Sequence, residues 1–423
     1  MHAHGDNETV FTWAAPPLKF GIGALDEVGA ELAARGLRRV LLLTDPGVRE
    51  TGVPDRVRDG VLAAGVKCEL YDGVVVEPTD ESITAAVEFA REREWDGFVA
   101  VGGGSTIDTA KAVNLLTTHG GELLDYITPP IGAGRAPDGP VKPLIAVPTT
   151  AGTGSESTTI CVVDLLSMHL KAGISHSYLR PALAVVDPLT TVSMPPEVTA
   201  ASGLDVLSHA LESYTAVPFD TRRRPEDAMR RPAFCGSNPV SDVWCEMALR
   251  LVGEHLRTAV LNGRDLRARY QMSLAATYAG TGFGNAGTHL PHAGAYPIAG
   301  MADGYRASGY PEMPMVPHGQ AVAVTAPPVF EWTYPTNPDR HLKAAELLSG
   351  HTFTRTDGAA ALPQVLGELM ADIGAPRRLR DFGYSEASID GLVDGTMKQT
   401  RQLSVVPREV TGEALAGIMR ASL

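Results

Sequence analysis

Short apolar runs alternate with amphipathic stretches through the first half of the chain. The apolar runs that fit strands buried in a parallel sheet are 39–45, 67–74, 97–101 and 144–148. The stretches with helical spacing of apolar residues are 24–35, 53–64, 79–91 and 106–116. This alternation predicts an α/β fold with a doubly wound, Rossmann-like parallel sheet, which binds its ligand beyond the carboxyl ends of the strands.

Beyond about residue 195 the pattern changes to long helical stretches without apolar strand runs between them. These stretches are 240–256, 266–279, 341–348, 359–373 and 413–423. Residues 218–239 are rich in Arg and Pro and fit a loop between two helices. We therefore expect an α/β domain over 1–194 and an all-α domain over 195–423.

A polar pair interrupts one of the apolar helical stretches in the second half. Asp205 and His209 are four residues apart, so a helix places them on one face, one turn from each other. A carboxylate oxygen and an imidazole nitrogen at this spacing suit a divalent transition metal. A buried Asp–His hydrogen bond explains the pair equally well.

Other histidines favour the metal. His289 and His292 lie in a Gly/Ala-rich, largely uncharged stretch, and His318 stands between a Pro and a Gly. Asp205, His209, His292 and His318 would supply four ligands and leave a position for a substrate oxygen. His289 is the rival to His292. One carboxylate and three imidazoles suit Fe²⁺, Zn²⁺, Co²⁺ or Mn²⁺.

Two turns that follow predicted strands are candidates for binding a dinucleotide. The first consists of Gly102, Gly103, Gly104 and Ser105, and the second contains Thr149, Thr150 and Thr153. Glycines between a strand and a helix let backbone amides approach a pyrophosphate at the helix N-terminus.

Asp45 ends another predicted strand. An acidic side chain there can accept a hydrogen bond from a ribose 2′-hydroxyl and repel a 2′-phosphate, which favours NAD over NADP. The alternative interpretation of Asp45 is a turn or helix cap before Pro46.

Composition narrows the class of partner. A net charge of −13 argues against nucleic acid and suits a metabolic enzyme that acts on a small molecule. The four cysteines show no CxxC spacing and fit reduced thiols in a cytosolic protein. The acidic N-terminal residues do not resemble a signal peptide, and no apolar run approaches the length of a membrane span. We therefore expect a cytoplasmic protein without a membrane partner.

The motifs together resemble those of the metal-dependent, group III or iron-containing, alcohol dehydrogenases. The matching residues are 102–105 with Asp108 and Lys111, then 148–156, Asp205 and His209, His292, and 317–319. The resemblance implies an NAD(P)-binding domain followed by a helical metal domain, with iron favoured and zinc possible at the four ligands named above. It also implies that Asp108 and Lys171 lie beside the cofactor. We further expect a homo-oligomer, a dimer or larger.

The chain is most similar to the hydroxyacid–oxoacid transhydrogenase branch of that family. The resembling stretches are 76–80, 124–126, 236–242, 283–287 and 296–298. This branch oxidises 4-hydroxybutyrate to succinate semialdehyde and passes the hydride to 2-oxoglutarate on a retained NAD. Its eukaryotic members are mitochondrial, but the acidic N-terminal residues do not support this location here.

The same resemblance directs attention to three substrate candidates. Tyr296 stands where many family members carry a second histidine near the nicotinamide. Arg231 and Arg306 fall where the transhydrogenases carry basic residues, and either would suit a substrate carboxylate.

Alternative functions stay open from the sequence. They are an alcohol dehydrogenase or aldehyde reductase that exchanges NAD freely, a cyclase of the dehydroquinate synthase type, and a non-catalytic nucleotide-binding protein with a structural metal.

Overall fold

The computed structural model describes residues 6–168, 170–228, 231–232, 234–302 and 304–423. These residues form two compact units. One unit spans Ala15–Met194, and the other joins Pro195–Leu423 to the N-terminal segment that ends at Ala14. Each unit has buried hydrophobic clusters of its own.

The first unit is built around a parallel sheet. Its strands are β1 (Leu18–Phe20), β2 (Arg39–Leu43), β3 (Lys67–Tyr71), β4 (Gly97–Gly102), β5 (Leu144–Pro148), β6 (Ile160–Leu165), β7 (Leu170–Ser175) and β8 (Leu183–Val186). Six of them form one sheet in the order β1-β8-β5-β4-β2-β3, with every pairing parallel. The other two, β6 and β7, pair with each other as an antiparallel hairpin.

Helices cover both faces of this sheet. They are α1 (Val28–Ala34), α2 (Pro46–Arg49), α3 (Val53–Ala63), α4 (Asp80–Arg91), α5 (Gly104–His119) and α6 (Leu123–Tyr126). Leu41 and Phe98 face a core that includes residues of α4 and α5, whereas Val40 and Val99 face a core that includes residues of α1 and α3. Successive side chains of a strand point to opposite faces, so a sheet covered on both sides needs strands that are apolar throughout. The predicted doubly wound architecture is confirmed.

The order of the strands reverses between β2 and β4. After β2 the chain moves outward to β3 and then returns to the opposite side of β2 as β4. Open α/β sheets bind their ligands in the crevice that such a reversal leaves at the carboxyl ends of the strands. Asp45 follows β2 and Gly102 ends β4, so two parts of the predicted dinucleotide site flank this point.

Four strands were not predicted. β1 has three residues and β8 has four, which is too short for periodicity to separate a strand from a turn. The strands of the hairpin, β6 and β7, mix apolar residues with Asp164 and Lys171, so they lack the continuous apolar character of the central strands.

The second unit is helical in the part of the chain that the structure describes, apart from two isolated bridges. Its helices are α7 (Pro196–Thr215), α8 (Pro239–Leu261), α9 (Leu266–Ala286), α10 (Leu290–Gly300), α11 (His318–Ala323), α12 (Ala326–Thr333), α13 (Pro338–Ser349), α14 (Ala361–Asp372), α15 (Ile389–Met397), α16 (Thr400–Leu403) and α17 (Gly412–Ala421). The predicted helical character is confirmed. None of the described helices combines the length and the apolar character that a bilayer crossing requires.

Helix α7 lies at the centre of this unit. Every residue from Gly203 to Thr215 is buried, and the helix packs against α8, α9 and α11. Ser208 donates to the Leu204 carbonyl at 2.9 Å, so that side chain is satisfied within the helix. The ionisable side chains of α7 have no such local acceptor and need partners from other elements.

The N-terminal segment packs on the second unit, which differs from the predicted assignment of residues 1–194 to one domain. The Glu8 N–H donates to the Arg222 carbonyl at 2.7 Å, and Asn7 forms a bridge with Arg223. These contacts join residues that are far apart in the chain, so no local pattern predicts them. The structure divides the chain between Met194 and Pro195.

Candidate active site

The two ligand candidates on α7 are almost completely removed from solvent. Asp205 is 2% exposed and His209 is 4% exposed. The Nε2 atom of His209 lies 3.6 Å from the Asp205 Oδ1 atom, as the one-turn spacing predicts. The His209 ring stacks on Phe283 with the centroids 3.8 Å apart, which fixes the direction of the imidazole.

Two other helices bring their histidines to the same carboxylate. His292 lies in the first turn of α10, and His318 is the first residue of α11. Their Nε2 atoms lie 3.5 Å and 3.9 Å from the Asp205 Oδ1 atom. A Cβ atom at Gly319 would overlap the Ala201 carbonyl of α7, so glycine at this position allows α11 to approach α7 closely.

The donor atoms fit a metal better than they fit a hydrogen-bond network. Ordinary N–H···O bonds are about 2.9 Å long, shorter than all three Nε2–Oδ1 separations. Asp205 Oδ1 and His292 Nε2 are buried and have no hydrogen-bond partner among the described residues. Ligands about 2.1 Å from one ion in a tetrahedral arrangement stand roughly 3.4 Å apart, close to the separations found here.

The protonation states of Asp205 and His209 also suit a cation. Burial raises the pKa of Asp205, but the neighbouring His209 and His318 outweigh this effect and hold the pKa well below its usual range. Burial lowers the pKa of His209 to about 3, although Asp205 opposes the shift. A carboxylate and a neutral imidazole are the forms that coordinate a divalent ion.

Glu212 orients His292. Burial opposes the charge on His292, but Glu212 and Asp205 prevail and raise the pKa of the imidazole to about 9. His292 Nδ1 donates to the Glu212 carboxylate at 2.6 Å, and the His289 backbone N–H donates to the same carboxylate at 2.6 Å. A carboxylate on one ring nitrogen fixes the tautomer and directs the other nitrogen at the metal. The metal site expected from the sequence does not include Glu212, although this residue is three residues after His209 and therefore on the same face of α7.

His289 has a structural role. Its Nδ1 atom accepts the Leu290 N–H at 2.7 Å and so caps α10, and its Nε2 atom lies 3.0 Å from the Thr215 hydroxyl. Burial lowers the pKa of His289 to about 4. Both ring nitrogens of His289 have partners other than Asp205, so the geometry favours His292 over His289 as a metal ligand.

In the first unit, the glycine-rich turn and the threonine-rich turn lie against each other. A Cβ atom at Gly103 would lie 3.2 Å from the Thr150 Cγ2 atom, and one at Gly104 would lie 2.6 Å from the Thr153 Cγ2 atom. The Thr149 hydroxyl is buried without a hydrogen-bond partner in the described part of the chain. Helix α5 begins at the same turn, and helix N-termini are suited to binding a pyrophosphate.

Asp45 caps a helix, which is one of the two interpretations that the sequence left open. Its Oδ1 atom accepts the Val48 N–H at 2.9 Å and caps the short helix α2. Its Oδ2 atom accepts a hydrogen bond from the Thr106 hydroxyl at 3.3 Å. The side chain remains partly exposed next to the reversal in strand order, so its free lone pairs are available to a ribose hydroxyl.

The other cofactor candidates have partners within the first unit. The Glu77 N–H donates to the Ser105 hydroxyl at 3.1 Å, and the Glu77 carboxylate pairs with Lys171. Asp108 points inward and accepts the Val162 N–H at 2.8 Å. Ser105 and Lys171 therefore belong to one small network, whereas Asp108 supports strand β6 through Val162.

The three substrate candidates differ in their surroundings. Tyr296 is 5% exposed and lies one turn after His292 on α10, with its ring centroid 6.4 Å from that of His318. Arg231 Nε donates to Glu8 Oε2 at 2.9 Å, so its charge is compensated within the protein. Arg306 is exposed and donates to the Glu312 carbonyl at 2.9 Å.

The doubly wound sheet and the buried Asp–His cluster define a metal- and dinucleotide-dependent oxidoreductase, and comparison with known proteins identifies which kind. The family model for iron-containing alcohol dehydrogenases matches residues 16–188, and the model for the C-terminal domain of that family matches residues 233–423. The chain belongs to the iron-containing alcohol dehydrogenase family and is a metal- and NAD-dependent enzyme. The predicted family, fold and cofactors are confirmed.

Individual relatives agree with this assignment. A protein of Bos taurus named mitochondrial hydroxyacid-oxoacid transhydrogenase is 44% identical over 418 residues, which cover 98% of this chain and 90% of that protein. The crystal structure of a 1,3-propanediol oxidoreductase is 31% identical, with a TM-score of 0.85 over 98% of this chain and 100% of that one. A sulfoacetaldehyde reductase from Bifidobacterium kashiwanohense, solved with NAD⁺, is 27% identical, with a TM-score of 0.80 over 98% of this chain and 99% of that one.

The comparison corrects one prediction. We expected a cytoplasmic location from the acidic N-terminal residues and the cysteine pattern. This prediction is wrong, because the similar relatives from Bos taurus and Homo sapiens are both named as mitochondrial. Composition near one terminus and reduced thiols do not distinguish between compartments that keep cysteines reduced.

Replacing His292 with Ala should remove bound metal, because it deletes a nitrogen that faces the Asp205 carboxylate at 3.5 Å. The matched control is His289→Ala. It deletes a buried imidazole three residues earlier, whose two nitrogens contact Leu290 and Thr215. Elemental analysis of both purified variants, with circular dichroism to check folding, gives the answer. Empty His289→Ala protein beside fully loaded His292→Ala protein would show that the ligand assignment is wrong.

Glu212→Ala should weaken metal binding by roughly 10- to 100-fold, because His292 loses the acceptor that fixes its tautomer. Glu212→Gln should give an intermediate loss, since an amide cannot accept both from His292 Nδ1 and from the His289 N–H without presenting a donor to one of them. Titration of the metal-free protein with Co²⁺, followed by its visible absorption, measures the affinity. Glu246→Gln is the control. It alters the hydrogen bond that the hydroxyl of Tyr214, on α7, donates to Glu246, and it should bind Co²⁺ like the wild type.

Proposed function

We propose that this enzyme oxidises a hydroxyacid of the 4-hydroxybutyrate type and passes the hydride to an oxoacid such as 2-oxoglutarate. The observation that carries the proposal is the 44% identity, over 98% of the chain, to relatives named hydroxyacid-oxoacid transhydrogenases. The reaction is balanced without external oxidant: the hydroxyacid loses a hydride and a proton, and the oxoacid gains both.

Asp205, His209, His292 and His318 hold the divalent ion in this proposal. The bound ion supplies Lewis acidity that lowers the pKa of an alcohol hydroxyl. Glu212 keeps the proton of His292 on Nδ1, so the Nε2 lone pair faces the ion. His318 is the most exposed of the four, with 28% of its side chain accessible, whereas the other three are at most 6% exposed. The substrate oxygen therefore approaches on the side of His318.

The cofactor is held in the first unit. NAD supplies the hydride acceptor, and the protein supplies its position. The N-terminus of α5 and the residues Gly102, Gly103, Gly104, Ser105, Thr149, Thr150 and Thr153 bind the pyrophosphate, and Asp45 binds the ribose. Lys171 holds Glu77, and Asp108 holds strand β6 at Val162.

A second candidate function is an alcohol dehydrogenase that acts on a small neutral alcohol and exchanges NAD freely. The similarity to the 1,3-propanediol oxidoreductase structure, at 31% identity over almost the whole chain, favours it. Assembly into a homo-oligomer is part of either proposal and can be measured by analytical ultracentrifugation.

Incubating metal-loaded enzyme with 4-hydroxybutyrate and 2-oxoglutarate should produce succinate semialdehyde and 2-hydroxyglutarate in equal amounts. Each molecule of 4-hydroxybutyrate loses one hydride, and one molecule of 2-oxoglutarate gains it. Chromatography of the products measures both. Omitting 2-oxoglutarate should stop the reaction after about one turnover per enzyme-bound NAD. The alternative is that NADH accumulates continuously when NAD is added, without the oxoacid. An absorbance at about 340 nm that keeps rising would show this and would support the alcohol dehydrogenase instead.

Asp45→Asn should relax the preference for NAD over NADP by roughly tenfold or more, because it removes the charge that repels a 2′-phosphate. Asparagine also caps helices well, so α2 should persist. Calorimetry with both cofactors measures the ratio of affinities. Asp72→Asn, an exposed aspartate directly after β3, is the control and should leave the ratio unchanged. Equal affinity of the wild type for both cofactors would contradict the role given to Asp45.

A further inference from the structure

Arg401 carries a guanidinium group that has no counter-ion among the described residues. It lies on the short helix α16, and its Nη2 atom donates to the Tyr296 hydroxyl at 3.4 Å. Its Cζ atom lies 5.3 Å from the centroid of the Phe234 ring. A tyrosine hydroxyl and an aromatic face orient a cation without neutralising it.

One end of this guanidinium is left without an acceptor. Arg401 Nη1 is buried and makes no hydrogen bond within the described part of the chain. Gln399 Nε2, two residues earlier, is likewise buried and unpaired there. A buried donor that stays unpaired is costly, and more so when it belongs to a charged group. A carboxylate satisfies a guanidinium with two parallel hydrogen bonds, so it is the ligand that this group fits best.

The place of Arg401 relative to the metal candidates is set by Tyr296. Tyr296 and His292 are one turn apart on α10, and the Tyr296 ring lies next to His318, which faces the Asp205 carboxylate. Arg401 contacts the hydroxyl end of the same tyrosine. In an extended 4-hydroxybutyrate the hydroxyl oxygen and the carboxyl carbon are about 5 Å apart, the scale of one aromatic side chain.

Three arginines near the N-terminal segment and the loop after α7 already have partners in the protein. Arg231 forms an ion pair with Glu8, Arg224 contacts Glu8 and the Thr9 hydroxyl, and Arg222 donates to the Phe234 carbonyl. Arg224 and Arg231 therefore share Glu8 as a counter-ion, whereas Arg401 has none among the described residues.

We propose that Arg401, positioned by Tyr296, binds the carboxylate of the hydroxyacid substrate and thereby determines specificity. The proposal rests on the hydroxyacid function proposed above. The reacting hydroxyl is bound at the Asp205 cluster, and the carboxylate at the other end of the substrate pairs with Nη1 and Nη2 of Arg401. The enzyme thus selects hydroxyacids over neutral alcohols by one charged contact remote from the reacting carbon.

The test compares Arg401→Ala and Arg401→Lys with wild-type enzyme on two substrates. Arg401→Ala should raise KM for 4-hydroxybutyrate by about tenfold or more, and the inhibition constant of butyrate by a similar factor, because both lose the same charged contact. KM and kcat for 1-butanol should change by less than about twofold, since this alcohol has no carboxylate. Arg401→Lys should restore part of the affinity, because the charge remains while the paired geometry is lost.

Arg408→Ala is the matched control. Arg408 also lies over an aromatic ring, that of Trp332 at 4.7 Å, and donates to the Trp332 carbonyl at 2.8 Å. Its removal should leave the ratio of the two activities unchanged. Metal content and circular dichroism must match the wild type in every variant, and if Arg401→Ala does not fold, Arg401→Gln and Arg401→Lys carry the comparison.

The outcomes separate the inference from the function on which it rests. If wild-type enzyme uses 4-hydroxybutyrate but the Arg401 variants lose activity equally on both substrates, the role of Arg401 is overturned and the proposed function stands. If wild-type enzyme oxidises 1-butanol and ignores 4-hydroxybutyrate and butyrate, the proposed function fails, and the inference fails with it.

Discussion

A carboxylate surrounded by imidazoles in the interior of a helical unit is the constraint on which the rest of this site depends. Asp205 is 2% exposed, and its Oδ1 atom is approached by three ring nitrogens without a hydrogen bond from any of the described residues. Leaving a buried carboxylate oxygen without a hydrogen bond is costly, so the arrangement suits a cation. The approach of α11 to α7 at Gly319 and the contact between Glu212 and the start of α10 both serve to bring the donors together.

The parts of the structure that the sequence predicts are those specified over short distances along the chain. The buried strands of the sheet were visible as apolar runs because both of their faces are covered. The pair Asp205 and His209 was visible because a helix repeats every 3.6 residues. The glycine-rich turn was visible because Gly102, Gly103 and Gly104 stand in succession between a buried strand and a helix. In each case the physical requirement and the residues that meet it lie in one segment.

The remainder depends on contacts between distant segments, which no local pattern records. Arg401 and Tyr296 are 105 residues apart, and Glu8 and Arg231 are 223 residues apart. The sequence gives each arginine the same charge, and only the fold shows that one is paired with a carboxylate and the other is not. Glu212 is the exception, because its position on α7 is readable from the spacing, but its partner His292 lies 80 residues further along.

The contrast between these arginines bears on how one family accommodates different alcohols. A Lewis acid acts on any hydroxyl that reaches it, so the Asp205 cluster by itself distinguishes poorly between substrates. Discrimination must come from the end of the substrate that does not react, through a contact that a competing molecule cannot make. A site built around an uncompensated guanidinium rejects a neutral alcohol because the alcohol leaves that charge unpaired. Tyr296 lies between Arg401 and His318. The position of Arg401 therefore sets both the charge and the length of the molecule that fits, while the metal ligands stay the same.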